Sequence, residues 1–413
     1  MDKNKTRVYI HSNCLYNLLK LHRIPMLFVG SGLSKRYLKN YPSWDELIFN
    51  IAKVIGVNKS QIIAMKQAIT DSKPSETQGK INAEIGSNLT KIFRDKIISG
   101  ELSLSDIFTD EEINLIERKN ISFIKMLISK QLSKYEITDN PKYLSELNEL
   151  KKLQNNIGVV VTTNYDKFLE NEIFNNFDVF SEQTQYYMTE NCGIGEIYKI
   201  HGSVDIPNSI IFNSDDYNNF RSNLKVVAAK LLNLVLEYPI IFIGYSLEDE
   251  NVLEILYTVI DSLNPEQLRT LSKNLIYVNW KKGTSKLKET EETITRDGKS
   301  LKMTCINTDN YFVLYKHLQK FLPAERPERV RKYKKMIRNL VIKSNGGQAT
   351  IIADSNIDKL NNENRLVVAF GETEQFAIKG IVGMSAKELI NLVLEQKVIF
   401  RKATQSQYSK VTF

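Results

Sequence analysis

The fold is decided by the segment at residues 159–170, which reads VVVTTNYDKFLE. Three β-branched apolar residues come first, and they predict a short strand that is buried on both faces. Two hydroxyls, an amide and a carboxylate follow at once, within residues 162–166. A strand that only filled a core could end in any turn. Because open α/β sheets bind ligands at the carboxyl ends of their strands, this polar strand end is typical of a binding site.

Similar apolar runs recur along the chain, and helical patterns lie between several of them. Most of the runs are rich in Val and Ile, as central parallel strands are. We therefore expect an α/β fold with a Rossmann-like, doubly wound parallel sheet. The runs are PMLFVG (25–30), IGVVVTT (157–163), IYKIHG (197–202), SIIF (209–212), PIIFIG (239–244), LIYVNW (275–280) and KMTCI (302–306).

Two regions depart from this alternation. Residues 45 to about 155 contain helical patterns and no convincing strand, so we expect a helical lobe inserted into a first domain at 1–324. Residues 325–413 begin with a basic stretch and then show two strand-like runs, QATIIAD and RLVVAFG, and a helix opened by a Ser385–Glu388 capping box. We expect them to form a small C-terminal α/β module for regulation or assembly. A hairpin with Asp297–Gly298 at its tip is predicted before this module.

The composition is that of an ordinary soluble protein, with 42% hydrophobic and 25% charged residues. The net charge of +8 permits contact with nucleic acid or acidic proteins without identifying either. The three cysteines lie far apart and form no CxxC pair, which argues against a zinc ribbon or a disulfide framework. The N-terminus lacks the apolar core of a signal peptide, and Pro239 splits the longest apolar stretch. We expect a cytoplasmic protein with no membrane span.

The first strand is followed by a glycine-containing turn. Gly30 and Gly32 would let the backbone approach a ligand closely, and Ser31 and Ser34 add hydroxyls. The third glycine of the dinucleotide fingerprint is absent, so a plain strand-to-helix turn is an equally good interpretation. A helix opened by a capping box follows, and we expect its Trp44 to lie in the core.

Two further strand ends carry the candidate reactive groups. The amide of Asn164 can hold a water or a ribose hydroxyl, whereas Asp166 is better explained as a cap for the next helix. His201 ends a strand and is followed by Gly202, which leaves room beside the ring. Because imidazole titrates near neutrality, we expect His201 to be able to move a proton. Gly244 and Ser246 form another turn of the ligand-contacting type, and Asn279 ends a later strand.

Taken in order, these strand ends resemble those of the Sir2 (sirtuin-like) family, in which a Rossmann-type sheet binds NAD. The resemblance covers about residues 20–322. It implies that the glycine turn cradles the pyrophosphate, that Asn164 and His201 face the nicotinamide ribose, and that the later turns hold the adenosine ribose. The implied site has catalytic candidates Asn164, His201 and Asp166, NAD-binding candidates Gly30, Ser31, Gly32, Ser34, Thr162, Gly244, Ser246 and Asn279, and no metal.

The chain also departs from classical deacetylase sirtuins. Those proteins carry a four-cysteine zinc module after the His-Gly segment, whereas only Cys305 follows His201 here, and Thr163 stands where the family has Gln. The early helical insert and the segment IIFNSDDY look like the bacterial branch of Sir2-domain effectors that destroy NAD during phage infection, as in the Thoeris and defence-associated sirtuin systems.

This resemblance implies an NAD glycohydrolase that releases nicotinamide and ADP-ribose, with NAD as its substrate. It further implies an abortive-infection effector that forms a homo-oligomer and is activated by assembly, a partner defence protein or a phage-derived activator, with control located in residues 325–413. We expect the basic helix at 326–338 to dock on the protein surface, and contact with nucleic acid or an acidic partner is the alternative.

Three other functions are open to a chain of this kind. A non-hydrolysing sensor of NAD or ADP-ribose, coupled to a partner ATPase or nuclease, is the main alternative, although it would not need both Asn164 and His201. The missing cysteines argue against an NAD-dependent deacylase. The incomplete glycine fingerprint argues against a dehydrogenase.

Overall fold

The computed structural model describes residues 13–21, 23–182, 185, 193–222, 224–245, 250–296, 299–323, 326–332, 334, 349–352 and 369–372. The chain divides into two compact units, Met1–Lys332 and Tyr333–Phe413. Within the described residues, no helix is both long and apolar enough to cross a membrane.

The first unit is built on an eight-stranded sheet with the order β3-β4-β2-β1-β5-β6-β8-β7. All neighbouring strands are parallel except β7 and β8. The central strand β1 has β2 on one side and β5 on the other, so the strand order reverses there, as in a doubly wound sheet. The predicted fold class is confirmed. The strands are β1 (Met26–Val29), β2 (Val159–Thr162), β3 (Asp178–Phe180), β4 (Glu196–Lys199), β5 (Ile240–Ile243), β6 (Leu275–Trp280), β7 (Lys288–Arg296) and β8 (Lys299–Thr308).

Helices cover both faces of this sheet. Alternate residues of each strand point to opposite faces, so Leu27 and Val29 pack in one core while Met26 and Phe28 pack in the other. This is why β1 and β5 are apolar at every position. The helices outside the lobe are α1 (Asn13–Leu19), α2 (Ser31–Tyr37), α8 (Pro141–Lys151), α9 (Ser214–Ser222), α10 (Leu224–Glu237), α11 (Glu250–Ser262), α12 (Pro265–Lys273) and α13 (Tyr311–Leu318).

A helical lobe lies between β1 and β2 in the chain and has a hydrophobic core of its own. The capping box predicted at its start is present, since Ser43 Oγ accepts from Glu46 N at 3.3 Å and Glu46 Oε2 accepts from Ser43 N at 2.6 Å. The lobe consists of α3 (Trp44–Val54), α4 (Lys59–Ser72), α5 (Gln78–Ser99), α6 (Asp110–Lys119) and α7 (Phe123–Leu132). The next helix, α8, also precedes β2 but packs Leu147 and Leu150 into a core of the sheet.

The structure differs from the predicted strands at two places, one strand that is absent and one that was not predicted. The run SIIF is not a strand, because a 3₁₀ turn at Pro207–Ser209 is followed by irregular chain. Its apolar residues are buried all the same: Ile210 and Phe212 enter the core of the lobe, and Ile211 enters a core of the sheet. The edge strand β3 escaped prediction since it is short and only partly buried.

The end of the first unit includes the start of the predicted basic helix. Residues 327–332 are helical, and Arg331 is only 5% exposed. Its guanidinium donates to the carbonyl oxygens of Gly195 and Asn176 and pairs with Asp178. This arginine therefore fixes residues 327–332 to the edge of the sheet at β3.

The second unit is described at residue 334 and at two short strands. β9 (Ala349–Ile352) and β10 (Ala369–Glu372) pair in antiparallel fashion and match two of the predicted strands. The predicted Ser385–Glu388 capping box lies outside the described residues, and so does the predicted hairpin tip at 297–298 between β7 and β8.

Candidate functional site

A cavity of about 290 Å³ lies between the carboxyl ends of the sheet strands and the helical lobe. The sheet side contributes residues that follow β1, β2 and β4, and the lobe contributes residues of α3, α5 and α7. Among the described residues, no Asp, Glu, Lys or Arg side chain lines this cavity. The sheet-side lining consists of Ser31, Thr163, Asn164, Tyr165 and His201. Asn164 and His201, which the family resemblance had placed at one ribose, thus line one cavity.

The amide of Asn164 is held in one orientation. Its Nδ2 donates to the carbonyl oxygen of Gly30 at 3.2 Å and to Ser34 Oγ at 3.1 Å. A carbonyl oxygen can only accept, so the nitrogen of the amide must face Gly30 and the oxygen must face the other way. This Oδ1 atom is fully enclosed and has no hydrogen-bond partner in the described part of the chain. A buried unpaired acceptor costs about 1–3 kcal/mol, which indicates that a ligand or water completes it.

His201 carries a second enclosed atom of this kind. The side chain is 3% exposed, and its Nε2 finds no partner among the residues described. The rings of Tyr217 and Phe220 stand edge-on to the imidazole, with centroids 6.0 and 5.2 Å away. Burial lowers the pKa of His201 to about 3. The ring is therefore neutral at physiological pH, and the expectation that it titrates near neutrality is wrong. The neutral imidazole can form a hydrogen bond with a ligand instead.

Asp166 does not line the cavity and is connected to the site only through its hydrogen bonds. It is 1% exposed. Its Oδ2 accepts from Ser34 Oγ at 3.0 Å and from Tyr41 OH at 2.6 Å, and its Oδ1 accepts from Phe168 N at 2.9 Å. The last contact holds the turn before the helical segment Leu169–Ile173, whose N-cap is Phe168 and has no side-chain cap, so the capping role expected of Asp166 is not the one it has. Ser34 lies between this carboxylate and the Asn164 amide, so the Ser34 hydroxyl orients the amide. The sequence had led us to expect that Ser34 contacts the cofactor.

A buried lysine holds the same segment from the neighbouring strand. Lys199 is fully buried, and its Nζ donates to the carbonyl oxygen of Asp166 and to Glu170 Oε1 at 2.7 Å. Burial raises the pKa of Glu170 even though the ammonium group opposes that shift. The ion pair therefore ties the chain after β2 to β4, two residues before His201.

The glycine turns serve chiefly to bring two backbones together. Gly30 N donates to the carbonyl oxygen of Ile243, and Gly32 N donates to that of Gly244, both at 2.9 Å. A Cβ on Gly30 would lie 2.5 Å from the Gly244 oxygen, and Gly244 itself has a φ of +80°. These amides are thus engaged within the protein, in contrast to the expected phosphate cradle, and of the Gly-Ser-Gly turn only Ser31 lines the cavity.

The remaining NAD-binding candidates lie elsewhere. Thr162 is fully buried, and its hydroxyl donates to the carbonyl oxygen of Val29 and accepts from Asn164 N. It therefore shapes the strand end without lining the cavity. Asn279 lies at the end of β6 and donates to Asn307 Oδ1 at 2.8 Å. Ser246 falls outside the described residues.

The lobe side of the cavity was not foreseen. Trp44, expected to be core, does pack against Tyr165 and Phe212, but it also lines the cavity. Gln78 and Asn82 of α5 line it as well, and a helical pattern alone gives no sign of this. The position of Tyr217 at the cavity could have been predicted, since this residue lies in the segment IIFNSDDY that follows the histidine. The described residues contain no cluster of three or more His, Cys, Asp or Glu side chains placed to hold a metal.

Fold and cavity together define a doubly wound α/β protein whose candidate binding site lies at the topological switch point of its sheet. Comparison with known families agrees with the resemblance: residues 158–296 match the model of the SIR2-like domain. This segment contains Asn164, His201 and Gly244, whereas the turn at 30–34 precedes it.

Two curated proteins are similar to the chain, and both are called NAD(+) hydrolase ThsA. The protein from Cytobacillus dafuensis is 27% identical over 148 residues, which are 35% of this chain and 30% of that protein. The protein from Bacillus cereus (strain MSX-D12) is 24% identical over 248 residues, which are 59% of this chain and 41% of that protein. The matched regions thus span less than half the length of these relatives.

Proposed function

We propose that this chain is an NAD glycohydrolase that breaks the bond between nicotinamide and ribose. The observation that carries the proposal is that Asn164 and His201 line one cavity and each holds an enclosed polar atom, Oδ1 and Nε2, with no partner among the described residues. A buried polar atom without a partner is costly, and two such residues on one cavity suit the hydroxyls of a sugar. The similarity to two NAD(+) hydrolases supports the same substrate.

The size of the cavity fits part of a dinucleotide. At about 290 Å³ it lies at the lower end of the range for ligand sites. We therefore assign it to the nicotinamide riboside half of NAD. The other half would extend along the sheet edge toward the turn at Gly244 and toward Asn279, which follow β5 and β6. Ser31, exposed at the start of α2, lies where the two halves would join.

The chemistry needs little from the protein. Nicotinamide leaves as a neutral molecule from a cationic ring, and an oxocarbenium-like centre forms on the ribose, as in glycoside cleavage. In our proposal Asn164 Oδ1 accepts a hydrogen bond from the attacking water or a ribose hydroxyl, and neutral His201 bonds a second hydroxyl. Asp166 keeps Asn164 in place through Ser34. Water attack at the ribose carbon and loss of one proton then give ADP-ribose and nicotinamide.

The direct test measures nicotinamide and ADP-ribose by chromatography after purified protein is incubated with NAD, alone and with candidate partners. We expect equimolar release of the two products by the wild type and its loss in Asn164→Ala and His201→Ala. The matched control is Asn50→Ala, which removes an exposed amide of α3 that does not line the cavity. Unchanged turnover in His201→Ala would contradict the assignment. Tight NAD binding without any product would instead support the sensor.

We further propose that the activity is controlled, because uncontrolled loss of NAD would harm the cell that makes the protein. The family resemblance suggests a role in anti-phage defence, with activation by assembly into a homo-oligomer or by a partner. We assign this control to the unit Tyr333–Phe413. The test is the NADase rate of a chain that ends at Lys332, compared with the full chain across a range of protein concentrations. An equal rate at all concentrations would refute this assignment.

A further inference from the structure

The lobe side of the cavity presents a pair of primary amides. Gln78 Nε2 donates to Asn82 Oδ1 at 2.8 Å. The two residues are four positions apart on α5, so they lie on one face of the helix, and both line the cavity. Gln78 is exposed at the mouth, and Asn82 is buried at 8% exposure. The proposed mechanism gives this pair no role.

The mutual hydrogen bond leaves a defined pattern of free groups. It uses one N–H of Gln78 and one of the two lone pairs of the Asn82 oxygen, so the Gln78 oxygen is left to accept and the Asn82 NH₂ is left to donate. Rotating both amides exchanges these roles between the two residues and again leaves an unused oxygen on one and an unused NH₂ on the other. In either arrangement the amide pair holds an NH₂ group beside a carbonyl oxygen that needs a donor.

This pattern is complementary to a primary carboxamide, which has an NH₂ group to donate and a carbonyl oxygen to accept. A carboxylate has no hydrogen to donate, so it would leave the unused amide oxygen of the pair without a partner. The surroundings suit a flat aromatic ring, since Trp44 and Tyr165 line the same cavity with their ring centroids 6.4 Å apart. Asn164 and His201 come from the sheet edge, whereas the amide pair comes from the lobe.

We infer that Gln78 and Asn82 recognise the carboxamide of the leaving nicotinamide and thereby select NAD over dinucleotides with a different pyridine substituent. The inference rests on the proposed function, because it takes the ligand of the cavity to be the nicotinamide end of NAD. The sheet edge would hold the ribose, and the lobe would hold the base, so the bond to be broken spans the cavity. Gln78 fixes the orientation of Asn82, and Asn82 makes the buried contact.

The test compares two substrates, NAD and its carboxylate analogue nicotinic acid adenine dinucleotide, in three variants. We measure kcat/KM for release of the base in the wild type, Gln78→Leu, Asn82→Leu and the control Gln67→Leu, which makes the same change at an exposed position of α4. The wild type should prefer NAD by about 100-fold or more. Each site variant should reduce this ratio by about tenfold, and Gln67→Leu should leave it unchanged.

The ratio separates recognition from damage to the fold. A variant that merely distorts the cavity lowers kcat/KM for both dinucleotides alike and leaves their ratio intact. An unchanged ratio in both Gln78→Leu and Asn82→Leu would therefore overturn the inference while leaving the NADase activity in place.

A binding experiment keeps the two proposals apart. Free nicotinamide and free nicotinate are titrated into the wild-type protein and into Asn82→Leu by isothermal calorimetry. Preference for nicotinamide in the wild type, lost in Asn82→Leu, supports the inference even if the protein cleaves no dinucleotide, in which case only the proposed function fails. Equal affinity of the wild type for both bases overturns the inference, whatever the hydrolysis assay shows.

Discussion

The buried imidazole of His201 should make the protein sensitive to acid. Its pKa is lowered by burial to about 3, whereas an unfolded chain has the ordinary histidine value near 6.5. Below pH 6.5 the imidazole therefore binds a proton in the unfolded state and remains unprotonated in the folded state. Stability falls as the pH decreases from 6.5 toward 3, and it is fully regained above 6.5. At pH 5, about 1.5 pH units below the ordinary pKa, this single ring costs about 2 kcal/mol.

The substitution that tests this reasoning is His201→Gln, which removes the titrating group and retains a polar side chain. Free energies of unfolding are measured by urea denaturation at pH 7.5 and pH 5.0, with tryptophan fluorescence and circular dichroism as probes. We expect the wild type to lose about 2 kcal/mol more than the variant between the two pH values. The remaining titrating groups are common to both proteins, so their contributions cancel in this difference.

Direct titration decides the matter. The chain has four histidines, so the resonance of His201 can be assigned by its absence from the spectrum of His201→Gln in protein labelled with ¹³C-histidine. This resonance should stay in place from pH 7.5 to pH 5.0. A midpoint near 6.5 would refute both the burial argument and the role of His201 as a neutral hydrogen-bonding group.

Three further substitutions probe the supporting structure. Lys199→Met leaves the carboxylate of Glu170 buried without its cation, so it should lower the free energy of unfolding by about 3–5 kcal/mol in urea denaturation. Gly30→Ala places a Cβ 2.5 Å from a backbone oxygen of the facing turn and should cost about 1–3 kcal/mol, seen as a lower Tm, with an unchanged Tm contradicting the packing argument. Ser34→Ala removes the link between Asp166 and Asn164, and it should lower kcat of the proposed NADase about tenfold or more while the circular dichroism spectrum is preserved; full activity would show that the amide needs no such support.

The sheet could be predicted because its central strands are recognisable in the sequence as short apolar runs. Apolar runs at β1, β2 and β5 are buried on both faces, and that double burial is itself the sequence signal. The run SIIF at 209–212 was misleading for the same reason. Its residues are divided between two cores, and burial without strand pairing produces the same apolar pattern.

The site was predictable at the strand ends and not beyond them. Asn164 and His201 follow buried strands, and the rule that parallel strands share a carboxyl edge brings them together. Which atoms are enclosed depends on three-dimensional packing, so the low pKa of His201 could not be foreseen. The engagement of the Gly30 and Gly32 amides depends on the turn after β5, some 210 residues later in the chain. Gln78 and Asn82 gave no signal because their role depends on where the lobe rests.

The insertion of the lobe between β1 and β2 has an evolutionary consequence. One wall of the cavity belongs to the sheet and the other to the insert, which folds around its own core. Selection can therefore rebuild the inserted wall, helix by helix, without disturbing the strand ends of the other wall. If the proposed function holds, related chains with different inserts at this point would share the edge assigned to the sugar yet differ in the aromatic base that they accept.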